Sequence, residues 1–352
     1  MRVYVGTYTE YQNGKGKGIY AFDFDERSGT FTAIGTTTGL DNPAWLQVNE
    51  DKSVLYAALE GEAGQVAAFR IDPVSGALSE INRVSSEGAS PCYISLSHDE
   101  ATVFVANYTS GTIAALPIRA DGGLDTASDS IQREGASVDP DRQQGPHAHM
   151  ILSSPGGKYI LVTDLGTDEI TSYQFDAEGG LFVRGDGPPI VASLTAGAGP
   201  RHFAFSPDGG KVYVINELGS TLAVFDFDEE SGALRPLQTV STLPVDFEDP
   251  NYPAQVLVSP DGRFVYGSNR LHDSIAVWKI DEETGTVITI GNVPTQGTFP
   301  RNFAIDPSGK WLVVANQNSD SLVTFARDVE TGDLAQRGDP LSIPSPVCIL
   351  FL

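Results

Sequence analysis

The chain has few cysteines, few basic residues and no long apolar run. Its 352 residues include two cysteines, Cys92 and Cys348, which are too few for a disulfide framework and lack a metal-binding spacing. No run of 18 apolar residues is present, so no membrane-spanning helix is predicted. The N-terminal residues lack the apolar segment of a signal peptide. These absences predict a cytoplasmic protein that is not associated with a membrane.

Basic residues are scarce relative to acidic ones. There are 22 Lys and Arg residues against 46 Asp and Glu residues, which gives a formal net charge of −24. Such a charge repels the phosphates of nucleic acids and anionic membrane surfaces. We therefore expect neither as a partner, and the sequence predicts no particular oligomeric state.

A repeat accounts for the whole chain. The segment GPRHFAFSPDGGKVYVINELGS, which starts at Gly199, aligns without a gap with YPAQVLVSPDGRFVYGSNRLHD, which starts at Tyr252. Each repeat opens with a proline, and successive prolines are about 46 to 55 residues apart, a period typical of propeller blades. The seven prolines are Pro43, Pro91, Pro146, Pro200, Pro253, Pro300 and Pro346.

Six repeats are complete and the seventh is divided between the two ends of the chain. Residues 345–352 (SPVCILFL) resemble only the opening strand, and the N-terminal segments RVYVGTYTE and GIYAFDFDERSGT resemble the two strands that should follow it. The pattern predicts an all-β protein: a seven-bladed β-propeller forming one domain over residues 1–352, with its last blade closed by joining the C-terminal strand to N-terminal strands.

Each repeat is predicted to contain four strands, the last one weaker and preceded by a D-x-x-[ST]-G turn. The glycine of this turn supplies the positive φ that the chain reversal requires. Because the turn recurs in most repeats, we interpret its acidic residue as a turn former rather than a calcium ligand. These turns start at Asp25, Asp72, Asp228, Asp281 and Asp328.

Function is expected where single repeats depart from the template. The first two strands of a repeat are antiparallel, so the start of one and the end of the other should share a face near the central channel. The residues after the prolines are Ala44, Cys92, His147, Arg201, Ala254, Arg301 and Val347. The second strands end at Thr7-Tyr8, Asn107, Asp164, Asn216-Glu217, Asn269-Arg270 and Asn316-Gln317.

Each of these residues also has a structural interpretation. His147 and His149 could be interior histidines bonded to backbone, and Arg201 and Arg301 could form ion pairs between blades. The recurrent asparagines are interpreted as strand-end turn formers. The convergence of arginines, a histidine and Glu217 favours a site, because arginine binds carboxylate or phosphate while Glu and His carry protons.

Four short motifs, GPHAH, GPRH, NE and SNR, resemble the lactonase family of seven-bladed propellers, which includes 6-phosphogluconolactonases and muconate lactonizing enzymes. The resemblance implies hydrolysis of a small anionic sugar-type lactone, most simply 6-phosphogluconolactone, without metal or other cofactor. It implies catalytic roles for four residues and substrate-binding roles for four others. The catalytic set is His147, Arg201, Glu217 and Arg270. The substrate-binding set is His149, His202, Arg301 and Gln317.

In the implied reaction, Glu217 or His147 activates water, while Arg201 and Arg270 bind the substrate anion and stabilise the oxyanion. The sequence has no Gly-x-Ser-x-Gly motif, which disfavours a covalent serine route.

Three alternatives remain open at this point. The first is a cycloisomerase that forms the lactone from a muconate-like diacid, and the second is a metal-dependent lactonase with Asp164, Asn216 and Glu217 as ligands. The third is a propeller that serves as a non-enzymatic interaction scaffold. Substrate specificity is expected to lie in residues 120–144 and 242–251, which have no counterpart in other repeats.

Overall fold

The computed structural model describes residues 1–184 and 189–352. The strands in chain order begin with β1 (Arg2–Thr7), β2 (Ile19–Asp25), β3 (Thr30–Thr37), β4 (Pro43–Val48), β5 (Val54–Leu59), β6 (Gln65–Ile71), β7 (Leu78–Ser85), β8 (Pro91–Leu96), β9 (Thr102–Asn107) and β10 (Thr112–Pro117). They continue with β11 (Asp129–Gln132), β12 (Ala148–Ser153), β13 (Tyr159–Asp164), β14 (Glu169–Asp176), β15 (Leu181–Phe182), β16 (Ile190–Ser193), β17 (Pro200–Phe205), β18 (Lys211–Asn216), β19 (Thr221–Asp228) and β20 (Ala233–Ser241). The last strands are β21 (Tyr252–Val258), β22 (Phe264–Arg270), β23 (Ser274–Ile280), β24 (Val287–Pro294), β25 (Pro300–Ile305), β26 (Trp311–Asn316), β27 (Ser321–Arg327), β28 (Leu334–Ser342) and β29 (Pro346–Phe351).

These strands form seven sheets, which are the seven predicted blades. Blades 1 to 6 are β4–β7, β8–β11, β12–β16, β17–β20, β21–β24 and β25–β28, and blade 7 has the order β29-β1-β2-β3. Within the described residues there is no α-helix, and the 3₁₀ turn Tyr11–Asn13 is irregular, because Gln12 has a left-handed φ of 51°. No helix in this part of the chain is long and apolar enough to cross a membrane. The predicted all-β class and blade number are confirmed. The prediction of four strands in every blade was wrong for blade 3, which has five described strands because β15 and β16 both pair with β14.

The chain divides into two compact units. The first consists of Met1–Thr38, Arg201–Asp226 and Arg235–Leu352, and the second of Gly39–Pro200 and Phe227–Leu234. The first unit holds blades 5, 6 and 7 and most of blade 4, whereas the second holds blades 1, 2 and 3.

The divided blade closes as predicted, within the first unit. Strands β1 and β29 are antiparallel, with Val3 opposite Phe351 and Val5 opposite Ile349. The amide of Leu352 donates to the carbonyl of Arg2 at 3.0 Å. The N-terminal segment also supplies the fourth strand of this blade, β3, so three of its four strands come from the N-terminus.

The core lies between facing blades because successive side chains of a strand point to opposite faces. Strand β22 shows this arrangement: Phe264 and Tyr266 pack in a cluster with blade 6, whereas Val265 packs in a cluster with blade 4. Every residue of β22 is buried, whereas most of the outer strand β28 is exposed. The second strand of a blade is therefore covered on both faces, which explains its apolar, β-branched sequence.

The D-x-x-[ST]-G segments are turns, as predicted. Asp328 Oδ1 accepts from the amides of Glu330 at 2.8 Å and Thr331 at 2.9 Å, and these bonds, that from Thr331 first, lower the pKa of Asp328. Gly332 closes the turn with a φ of 80°. The corresponding glycines of the other four turns, Gly29, Gly76, Gly232 and Gly285, have φ between 71° and 74°.

Gly332→Ala is expected to cost substantially more stability than Gly338→Ala. Both glycines have positive φ, so either alanine should cost about 1–2 kcal/mol of backbone strain. A Cβ at Gly332 would lie 2.5 Å from Cδ1 of the buried Phe264, whereas a Cβ at Gly338 meets nothing within 4 Å. Crowding should add roughly 1–3 kcal/mol at Gly332 alone. Free energies of unfolding from urea titration measure the difference, and equal losses would contradict this account.

The expectation that all of residues 120–144 is an insertion was wrong. Residues Asp129–Gln132 form β11, the fourth strand of blade 2, which pairs with β10. This strand has four residues, and its alternation is too short to stand out in the sequence. Residues 242–251, in contrast, contain no strand and connect β20 to β21.

Candidate active site

The asparagines that end the second strands have structural partners. Asn216 Nδ2 donates to Thr221 Oγ1 at 2.9 Å, and Asn316 Nδ2 donates to the carbonyl of Thr295 at 3.2 Å. Asn269 Nδ2 likewise donates to the carbonyl of Thr242 at 2.9 Å. These bonds support a structural role for the three asparagines, although the partners of Asn269 and Asn316 lie outside the turn that follows the strand.

Glu217 lies between two buried arginines of the first unit. Its Oε2 accepts from Arg201 Nε at 3.1 Å and from Arg270 Nη2 at 2.5 Å. Arg201, Glu217 and Arg270 are 2%, 4% and 5% exposed. Two guanidiniums against one carboxylate give these three side chains a net charge of +1. Burying positive charge is unfavourable without compensation, so the cluster is suited to an anionic ligand or an anionic transition state.

Backbone carbonyls hold both guanidiniums in place. Arg201 Nη1 donates to the carbonyl of Ala254 at 2.6 Å, and Arg270 Nε donates to that of Tyr252 at 2.9 Å. The Arg270 guanidinium also lies 5.2 Å from the ring centroid of Phe299. Strand pairing explains part of this geometry, since Tyr252 and Arg270 are opposite each other on β21 and β22. The cluster is thus oriented before any ligand binds.

His202 supports Arg201 as a neutral imidazole. Because a guanidinium can only donate, His202 Nε2 accepts from Arg201 Nη1 at 3.3 Å, and Nδ1 donates to Gln255 Oε1 at 2.5 Å. Burial and the positive charge of Arg201 hold the pKa of His202 well below its ordinary value of 6.5. Both ring nitrogens are therefore bonded to protein partners.

This burial predicts acid sensitivity. The native state excludes a proton that the unfolded chain binds below pH 6.5, so the free energy of unfolding should fall as pH decreases below that value. The contribution of one histidine is at most about 1.4 kcal/mol per pH unit. Urea titrations at several pH values between 5 and 7 give the free energy of unfolding at each pH. This free energy should depend less steeply on pH in His202→Gln than in the wild type. His98→Gln, at an exposed position, is the control and should retain the wild-type slope.

Arg301 and Gln317 also lie in the first unit. The Arg301 guanidinium is 5.1 Å from the ring centroid of Tyr8. The side-chain Nε2 of Gln317 donates to Gln12 Oε1 at 3.1 Å, and the backbone amide of Gln317 donates to the carbonyl of Phe299 at 3.0 Å. Gln317 is thereby connected through Phe299 to Arg270.

His147 and His149 lie in the second unit. The His147 amide donates to Asp164 Oδ1 at 2.7 Å, and its Nδ1 donates to the carbonyl of Tyr108 at 2.9 Å. The ring stacks on Tyr108 with centroids 4.6 Å apart. A neutral ring bonded in this way carries its lone pair on Nε2, the atom that a general base needs. His149 is buried, with Nδ1 3.7 Å from Cys92 Sγ.

The carboxylates considered as metal ligands are engaged by arginines. Asp164 Oδ2 accepts from the buried Arg133 Nε at 2.6 Å, as Glu217 accepts from Arg201 and Arg270. Among residues 1–184 and 189–352, no group of three or more His, Cys, Asp or Glu side chains is arranged to hold a metal ion. The geometry offers no support for the metal-dependent alternative.

The sequence reasoning missed Gln255, Gln12 and Phe299. Gln255 had a detectable signal: the second residue after the proline is polar in three consecutive blades, as His202, Gln255 and Asn302. Gln12 had none, because it belongs to the 3₁₀ turn and is 305 residues from Gln317 in the chain. Phe299 had none either, because it directly precedes Pro300, one of the prolines that open every repeat.

Comparison with known proteins agrees with this architecture. The family model described as "Lactonase, 7-bladed beta-propeller" matches residues 2–351. A Bacillus subtilis protein named 6-phosphogluconolactonase is 36% identical over 350 residues, which cover 99% of this chain and 97% of the relative.

Solved structures give the same result. A Bacteroides fragilis protein assigned provisionally as a 6-phosphogluconolactonase has a TM-score of 0.92 and 35% identity, covering 100% of this chain and 97% of its own. A Pseudomonas aeruginosa periplasmic gluconolactonase has a TM-score of 0.91 and 33% identity, covering 100% and 98%. The chain belongs to the lactonase family of seven-bladed β-propellers.

Proposed function

We propose that this chain hydrolyses 6-phosphogluconolactone to 6-phosphogluconate. The full-length relationship to the Bacillus subtilis 6-phosphogluconolactonase supports this substrate. The observation that carries the proposal is the buried cluster of Arg201, Glu217 and Arg270, which provides a proton acceptor beside two fixed cations. A general base and groups that stabilise the oxyanion both accelerate the hydrolysis of an ester.

The cluster supplies each step of the reaction. Glu217 accepts a proton from water as the water oxygen bonds to the lactone carbonyl carbon. Arg201 and Arg270 stabilise the tetrahedral oxyanion that forms. The bond from that carbon to the ring oxygen then breaks, and the ring oxygen leaves as a hydroxyl by taking the proton back from Glu217. No metal ion or other cofactor takes part in this scheme.

His147 is the second candidate for the base, since its Nδ1 bond leaves Nε2 to accept a proton. Arg301, His149 and Gln317 remain proposed substrate contacts. For His202 we propose a positioning role, because Arg201 and Gln255 occupy both of its ring nitrogens.

A substrate panel tests the proposal. The protein is assayed with 6-phosphogluconolactone, with gluconolactone and with a carboxymuconate diacid, and each rate is corrected for the spontaneous reaction. We expect hydrolysis of the phosphorylated lactone and no lactone formation from the diacid. Lactone formation from the diacid alone would identify a cycloisomerase, and inactivity towards all three would favour a scaffold.

We further propose that the protein acts in the cytoplasm as one domain. Neither Cys92 nor Cys348 is in a disulfide, as expected in a reducing compartment, and one family model spans residues 2–351. Cell fractionation tests the location, because the Pseudomonas aeruginosa relative is periplasmic. A single cooperative unfolding transition would support one domain.

A further inference from the structure

We propose that a cavity beside Phe299 binds the hydroxyl groups of the lactone, with Gln317 as the residue that recognises them. This inference rests on the proposed lactonase function and names the part of the substrate that this side of the site recognises. The cavity has a volume of about 530 Å³ and lies within the first unit. Its lining residues are Gln12, Asn13, Lys15, Phe299, Gln317, Asn318, Asp320 and Ser345.

Gln317 lines this cavity and has an unused hydrogen-bond acceptor. The residue is 5% exposed, and its Nε2 is committed to Gln12 Oε1 at 3.1 Å. Its Oε1 is buried and has no hydrogen-bond partner among the described residues. A buried acceptor without a partner is unfavourable, so a ligand that donates a hydrogen bond to it is favoured.

Because Gln317 Oε1 can only accept a hydrogen bond, it favours a ligand that can donate one. A hydroxyl can donate to Gln317 Oε1, whereas an ionised phosphate or carboxylate offers only acceptors. The cation in the lining, Lys15, is already paired, since its Nζ lies 3.2 Å from Asp320 Oδ2. The amide side chains of Gln12, Asn13 and Asn318 add groups that can both donate and accept. The cavity therefore suits a neutral polyol rather than an anion.

Phe299 connects the cavity to the catalytic cluster. It lines the cavity, and its ring lies 5.2 Å from the Arg270 guanidinium that binds Glu217. The position of Phe299 is fixed by its amide, which donates to Asp273 Oδ1 at 2.7 Å, and by its carbonyl, which accepts from the Gln317 amide. In the proposed arrangement the lactone carbonyl lies at the arginines and the lactone hydroxyls lie against Gln317, on the other side of Phe299.

The segment that carries Gln12 has an uncommon backbone conformation and packs closely against Tyr8. Gln12 and Asn13 have φ of 51° and 61°, an arrangement that is uncommon for residues other than glycine. The amide of Gly16 donates to the carbonyl of Tyr8 at 2.8 Å, and a Cβ at Gly14 would come within 2.6 Å of the Tyr8 backbone. With Gln12 Oε1 accepting from Gln317 Nε2, Gln317 Oε1 is the atom left for the ligand.

The test compares 6-phosphogluconolactone with its 2-, 3- and 4-deoxy analogues. The wild type should discriminate against at least one deoxy lactone by about 10-fold to 100-fold in kcat/KM. In Gln317→Leu that ratio should fall to within about twofold of unity, because the acceptor is gone. Gln336→Leu, on the exposed strand β28, is the matched control and should keep the wild-type ratio.

A second variant keeps the test decisive if Gln317→Leu fails to fold. Gln12→Asn shortens a side chain at an exposed position with positive φ, which asparagine accommodates, and it should lower the discrimination without unfolding the protein. If the wild type does not discriminate against any deoxy lactone, or if both variants keep the wild-type ratio, the proposed hydroxyl-binding cavity is wrong, whereas the lactonase function is unaffected. A wild type that hydrolyses no lactone would instead overturn the proposed function.

Discussion

Glu217→Gln is expected to lower kcat/KM for 6-phosphogluconolactone by about 10²-fold to 10⁴-fold, the usual contribution of a positioned general base. The amide can still accept from Arg201 and Arg270, so the shape of the cluster is largely kept, but it cannot take a proton from water. Initial rates over a range of substrate concentrations, corrected for spontaneous opening, measure the loss. The decrease should appear mainly in kcat, because the substitution removes the proton acceptor needed in the transition state and leaves the substrate contacts in place.

Asp261→Asn is the matched control for this variant. Asp261 Oδ2 accepts from the fully buried Arg327 Nη2 at 2.6 Å, so the substitution also neutralises the carboxylate partner of a buried arginine in the first unit. It should lower stability and leave kcat/KM within about twofold of the wild type. If Asp261→Asn reduced activity as much as Glu217→Gln, the loss would reflect folding rather than proton transfer. If Glu217→Gln kept full activity, the base would have to be assigned to His147.

Arg201→Lys is expected to reduce kcat by about 10²-fold to 10³-fold, the range found when one donor to an oxyanion is removed. Lysine keeps the charge but cannot bond to Glu217, Ala254 and His202 at once, as the Arg201 guanidinium does. Losing these buried bonds should also lower the free energy of unfolding by about 1–3 kcal/mol. Kinetics and urea titration on the same preparation measure both effects.

Arg263→Lys is the corresponding control. Arg263 is paired with Glu330 at 3.0 Å, but both side chains are largely accessible, at 34% and 74% exposure. An exposed ion pair contributes about 0–1 kcal/mol, so this variant should resemble the wild type in activity and stability. Unaltered turnover in Arg201→Lys would show that charge alone is required, and would contradict the assignment of a fixed guanidinium.

The fold could be predicted almost entirely from the sequence because the blade is a local pattern that repeats. Proline, apolar strand, turn and β-branched strand recur with a constant spacing, so errors in one repeat are corrected by the others. The exceptions were local: β11 was too short to recognise, and in blade 3 two short strands, β15 and β16, pair with β14.

The candidate site was predictable to the extent that it follows from that template. Arg201 lies at the start of β17 and Glu217 directly follows the end of the adjacent strand β18, so their proximity follows from strand pairing. That Arg270 of the next blade reaches the same oxygen depends on side-chain packing between blades, which the repeat pattern does not describe. Gln12 depends on a loop with no counterpart in other repeats, and periodicity carries no information about such a loop.

The most direct test of this account is the rate of 6-phosphogluconolactone opening with and without the protein, measured in the presence and absence of a chelator. We predict a protein-dependent rate well above the spontaneous one, and the same rate after chelation, because the two arginines supply the positive charge. A rate equal to the spontaneous reaction, or one abolished by the chelator, would contradict the central claim.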